Sequence, residues 1–132
     1  MAKNVPVSVR DVILPFDWDV TKVWALNAPT KQEKRTNFDY LLYYPLWSSE
    51  PKKGMLFDLS PMTVIDFPNS SVYQTERLAS VDVSIPIDVL EYEGESWLLD
   101  GSHRIARLYI DALPDLMVRR HDESVLDQIL AV

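Results

Sequence analysis

The chain has 132 residues, 47% of them apolar, which suffices for one compact domain with a real core and is short for two. It has no cysteine, which excludes disulfides, thiolate metal sites and cysteine nucleophiles. The formal charge of -7 is unevenly placed: from residue 67 onward five arginines face twelve acids with no lysine, an electrostatic balance that argues against stand-alone binding to DNA.

The start, Met1-Ala2-Lys3-Asn4-Val5-Pro6, lacks the apolar run of a signal peptide. No later stretch approaches the ~20 apolar residues that span a bilayer, so a cytoplasmic protein with no membrane partner is expected. Residues 1–54 read as an aromatic-rich extension of irregular segments built around Phe16, Trp18, Trp24, Phe38, Tyr40 and Trp47, packing residues first of all, with a Trp-rich stripe lining a ligand groove as the other reading. Residues 55–132 carry the motifs. Met55–Leu59 suggests a strand, and Ser60-Pro61 has the chemistry of a helix start, an N-cap serine followed by proline in the first turn. That helix runs to about Asp66. Asn69-Ser70-Ser71 then supplies caps for a second helix over Val72–Ala79, which carries Glu76 and Arg77.

Ile85–Tyr92 is rich in β-branched residues, Glu93-Gly94 offers a turn, and Ser96–Leu99 resumes an extended run, the pattern of a β-hairpin. Apolar residues at 105, 108, 109, 112 and 113 mark a helix with one buried face, ended by Pro114. Asp115–Arg119 reads as a strand and Glu123–Leu130 as a closing helix. The expected fold class is α+β, a single domain with a small, mostly antiparallel or mixed sheet flanked by short helices.

The concentrated chemistry is the turn Asp100-Gly101-Ser102-His103-Arg104. A strand that ends in Asp-Gly and turns at once into a helix leaves the first amides without intrahelical acceptors, at the positive end of the helix dipole. Gly101 allows a ligand close to the backbone, the Ser102 hydroxyl adds a donor, and His103 and Arg104 add charge or charge-assisted bonds where phosphate oxygens would lie. Asp100 has several readings: helix cap, orienting partner of Arg104 or His103, magnesium ligand, or acceptor of a proton from an attacking hydroxyl. With glycines only at 54, 94 and 101, neither a Walker loop nor a dinucleotide fingerprint can be built. No protein metal site is expected, because the two histidines match no ligand pattern and His121 reads as a surface residue.

The segments Ile85-Pro86-Ile87-Asp88-Val89-Leu90 and Trp97-Leu98-Leu99-Asp100-Gly101-Ser102-His103-Arg104-Ile105-Ala106 resemble the ParB/sulfiredoxin superfamily, in its Asp-Gly-x-His-Arg branch of bacterial ParB-like nuclease-domain proteins. The resemblance covers residues 72 to 120. It implies a compact α+β fold whose turn binds nucleotide or other phosphate groups. Sulfiredoxins use a catalytic cysteine where this chain has Ser102, so sulfinic acid reduction by that chemistry is excluded. The serine kinase branch keeps the same turn, and by that resemblance Asp100, His103 and Arg104 carry over as site residues. Its general base is a glutamate, for which Glu76, beside Arg77, is the candidate here.

The combined expectation is a protein that binds a nucleotide or another small phosphorylated molecule. Asp100, His103 and Glu76 are the candidate catalytic residues, and Gly101, Ser102, His103, Arg104 and Arg77 the candidate phosphate ligands. ATP/ADP or CTP with magnesium would serve phosphoryl transfer to a small hydroxylated substrate or nucleotide hydrolysis. The alternative is a non-catalytic module that senses a phosphorylated ligand or contacts a protein partner or a second copy. A nuclease is disfavoured by the acidic balance and the missing metal cluster.

Overall fold

The computed structural model describes residues 5–51 and 56–131. Strands β1 (Thr30–Lys34), β2 (Ile87–Tyr92), β3 (Glu95–Asp100) and β4 (Asp115–His121) form one sheet in the order β1-β4-β2-β3. Only β2 and β4 run parallel; the other neighbours are antiparallel. Helices α1 (Val20–Trp24), α2 (Pro61–Asp66), α3 (Val72–Ser80), α4 (Ser102–Ile110) and α5 (Leu126–Ile129) complete a mixed α+β domain. Among the described residues no helix is long and apolar enough to cross a membrane.

The alternation of side chains along a strand divides the apolar residues between two clusters. Ile87, Val89, Leu116 and Val118 pack with Ile105 and Leu108 of α4 and with Leu41 and Trp47 from the first half of the chain. Leu90 and Leu99 pack instead with Leu14, Val23 of α1 and Ile129 of α5. The packing role expected for the early aromatics holds for Trp47 and Phe38, whereas Trp24, Tyr40 and Tyr43 are exposed.

Local chemistry accounts for most boundaries. Ser60 Oγ accepts from the Thr63 amide with Pro61 at the helix start, and Ser71 Oγ accepts from the Gln74 amide to open α3. The hairpin turns through Glu93 and Gly94 at φ 52° and 79°, the two positive values a tight two-residue turn requires.

Three expectations need correction. The helix that was to run to residue 113 ends at Ile110. There Ala112 takes φ 54°, its amide donates to Tyr109 O at 3.1 Å, and the Leu113 amide donates to Leu108 O at 3.0 Å. This paired closure satisfies the carbonyls of Leu108 and Tyr109 and ends the helix four residues before the proline. Second, Met55 lies outside the described residues, and within 56–59 the chain forms only an isolated bridge, Leu59 with Trp47. Third, the first half is not wholly irregular, because Thr30–Lys34 supplies an edge strand to the sheet.

Candidate functional site

The sheet delivers the turn. A bulge between Asp88 and Val89 sets Asp88 opposite Asp100, the last residue of β3, and Gly101 then reverses the chain into α4 at φ 122° and ψ 15°. The amides of Ser102, His103 and Arg104 form the first turn of α4 and have no intrahelical acceptor. The first amide that has one is Ile105, which donates to Gly101 O at 3.1 Å, and no side chain caps the turn.

Two cavities meet at this turn. The larger, about 460 Å³, is lined largely by apolar and aromatic side chains, among them Trp18, Trp47, Phe57 and Tyr73. The smaller, about 350 Å³, lies between Trp24, Arg77, Ser80 and Arg104. Arg77 and residues 100–103 border both.

Most side chains of the turn are occupied within the protein. Trp47 Nε1 donates to Ser102 Oγ at 2.9 Å, which leaves the hydroxyl proton of Ser102 available as a donor. His103 stacks on Trp47, with ring centroids 4.1 Å apart and planes at 7°, and its Nε2 lies 2.7 Å from Gln74 Oε1. Gln74 Nε2 donates to Ser48 O at 2.7 Å, an orientation that turns its oxygen toward the imidazole and assigns the proton to His103 Nε2. Burial, reinforced by the guanidiniums of Arg77 and Arg104, pushes the His103 pKa down to about 3. The ring is therefore neutral at physiological pH and adds no positive charge for a phosphate, contrary to the sequence expectation.

Arg104 is also turned inward. It donates to Pro86 O at 2.8 Å and to Asp100 Oδ2 at 3.1 Å, and its side chain is only 11% exposed. Trp24 Nε1 donates to the same Asp100 oxygen at 2.8 Å. Arg77 borders both cavities, and its guanidinium rests over the Tyr73 ring, 5.5 Å from its centroid. Glu76 is not brought to the turn. It is exposed, lies two residues from the buried Gln74 on the far side of α3, and lines neither cavity. Gln74 was missed as a site residue, and the tie of Trp47 to Ser102 was not legible, because nothing in their neighbourhoods announces a partner 29 or 55 residues away.

His121 is no surface residue. It is buried at the end of β4, with Nε2 2.8 Å from Asp88 Oδ1. Among the described residues no group of three or more Asp, Glu or His side chains is arranged to hold a metal ion. Asp100, the one carboxylate at the turn proper, shares an oxygen between an indole and a guanidinium.

No family model, curated protein or solved structure matches this chain.

The depressed pKa of His103 has a consequence for stability. The folded state holds the imidazole neutral down to about 3, whereas the unfolded chain protonates it near its ordinary 6.5. The unfolded state therefore binds the additional proton, and stability declines as pH falls from about 6.5 toward 3. Between pH 7 and 5, above the range where carboxylates titrate, the urea midpoint of the wild type is expected to drop, and that of His103→Asn to change less. Equal drops in the two proteins would show that the imidazole is not held neutral.

Proposed function

We propose that this protein is a binding module for a small phosphorylated molecule, with nucleotides as the leading class. The observation that carries the reading is the meeting of two cavities at the first turn of α4, bordered by Gly101, Ser102, His103 and Arg77, with three main-chain amides that have no intrahelical acceptor. The smaller cavity suits the phosphate: Arg77 and Arg104 border it, and its one carboxylate, Asp100, is already paired with the Arg104 guanidinium. The resemblance of Asp100–Arg104 to the ParB/sulfiredoxin turn supports the same ligand class.

Phosphoryl transfer draws on this turn too, but the side chains offer little chemistry. Asp100 is tied to Arg104 and Trp24, His103 is tied to Gln74, and Glu76 lines neither cavity, so none of the three expected catalytic side chains stands ready as a general base. Recognition without turnover is the reading these contacts favour. Titration calorimetry with ATP, ADP and CTP, each with magnesium and with chelator, tests it. Binding of at least one is expected, and Arg77→Ala should weaken it roughly tenfold, the loss of one charge-assisted hydrogen bond. An absence of binding by all three, or full affinity in Arg77→Ala, would overturn the proposal.

A further inference from the structure

Among the described residues, three that are not glycine have positive φ: Phe57 at 51°, Glu93 at 52° and Ala112 at 54°. Glu93 is explained by the hairpin turn and Ala112 by the closure of α4. Phe57 is in neither situation, and for a bulky aromatic residue this conformation is a genuine outlier. Such outliers persist where the surroundings over-determine them, and they cluster at ligand clamps.

The surroundings of Phe57 are of that kind. The Leu56 amide donates to Ser48 Oγ at 2.7 Å, and the Asp58 and Leu59 amides both donate to Trp47 O at 3.1 Å. The Asp58 carboxylate accepts from the Ser49 amide at 2.8 Å and from its hydroxyl at 2.6 Å. Ser48 is itself bound through its carbonyl to Gln74, the residue that holds His103. One network thus fixes Phe57, Trp47 and His103, and all three line the larger cavity.

We propose that this cavity is the pocket for a planar, ring-bearing part of the ligand, and that Phe57 is its specificity-determining wall, held in an unfavourable backbone conformation so that its ring lines the pocket. Trp18 and Tyr73 supply further aromatic surface, with the buried Trp47 behind them, and about 460 Å³ lies in the range of small-molecule sites. For the anionic end of the ligand the inference rests on the function proposed above.

The test compares wild type, Phe57→Gly and Phe57→Trp with three probes: inorganic phosphate, AMP and the fluorescent ring-bearing anion 1-anilinonaphthalene-8-sulfonate. Glycine removes the ring and accepts the positive φ, so the unfolding midpoint should move by no more than about 3 °C. Affinity for AMP and the dye should fall by about tenfold or more, phosphate binding should hold, and tryptophan should restore the ring probes. Unchanged affinity for both ring probes in Phe57→Gly would overturn the inference, as would a midpoint drop of about 10 °C or more that Phe57→Trp repairs without restoring probe binding. Wild type that binds phosphate but neither ring probe would refute this inference alone. Wild type that binds the dye but neither AMP nor phosphate would refute the phosphate reading and leave the ring pocket standing.

Discussion

Gly101→Ala is expected to cost about 3 kcal/mol or more of folding stability, the sum of backbone strain and overpacking. Two independent features of this position demand glycine. Its φ of 122° with ψ 15° lies where side-chain-bearing residues are rarely found. A Cβ placed there would also stand 2.5 Å from Ile87 Cγ2 and 2.8 Å from Ile87 Cβ, inside any allowed contact. Ile87 is 1% exposed and packed in the core, so it cannot step aside. Urea unfolding of the single variants and of Gly101→Ala with Ile87→Ala separates the two causes. Removing Cγ2 relieves the worse contact, so the double variant should be less destabilised than the sum of the singles. Strict additivity would assign the whole cost to the backbone. The sequence suggested that Gly101 lets a ligand approach; the structure gives it a duty to the fold that stands whether or not a ligand is present.

That duality describes how far the sequence could be read. Elements specified by local chemistry were legible: Ser60-Pro61 and Ser71 as helix caps, Glu93-Gly94 as a hairpin turn, and the apolar spacing of α4. β1 was not, because Thr30–Lys34 is an edge strand whose side chains are almost all exposed and whose extended form comes from pairing with β4. The end of α4 was hidden because Ala112, which has no special propensity for positive φ, fills the place where glycine is the usual signal. At the site, the order Asp100 to Arg104 revealed the helix start and its amides. The directions taken by His103 and Arg104 depend on Gln74, Trp47 and Pro86, which the fold brings from distant parts of the chain. His121 was misplaced for a similar reason: β4 continues two residues beyond the expected Arg119 and carries it to the buried Asp88.

Asp88→Ala should be the most damaging single change away from the turn, with an expected loss of about 3 to 5 kcal/mol. Asp88 Oδ1 accepts from Arg119 Nε and pairs with His121 Nε2, each at 2.8 Å, and Asp88 and His121 are almost wholly buried. Arg119 continues outward from the sheet, donating to Leu26 O at 2.7 Å and Val23 O at 3.0 Å, the last turn of α1 and the residues just after it. Removing the carboxylate strands a guanidinium and an imidazole in a site that water reaches poorly, and the desolvation cost of both is then uncompensated. Asp88→Asn keeps an acceptor oxygen without the charge and should lie between wild type and alanine in urea unfolding. Replacing the group as a whole, Asp88→Leu with Arg119→Met and His121→Leu, should recover much of the loss, because apolar residues of similar volume leave no stranded charge. The recovered protein should still differ in one respect. α1 carries Trp24, whose indole reaches Asp100, and Arg119 ties α1 to the sheet. Hydrogen exchange in Val20–Trp24 should therefore stay faster than in wild type even where global stability returns. Wild-type exchange rates there would mean that the remaining ties of α1, the packing of Val23 and the Trp24 bond to Asp100 among them, hold it without Arg119, and that the buried charges serve only one another.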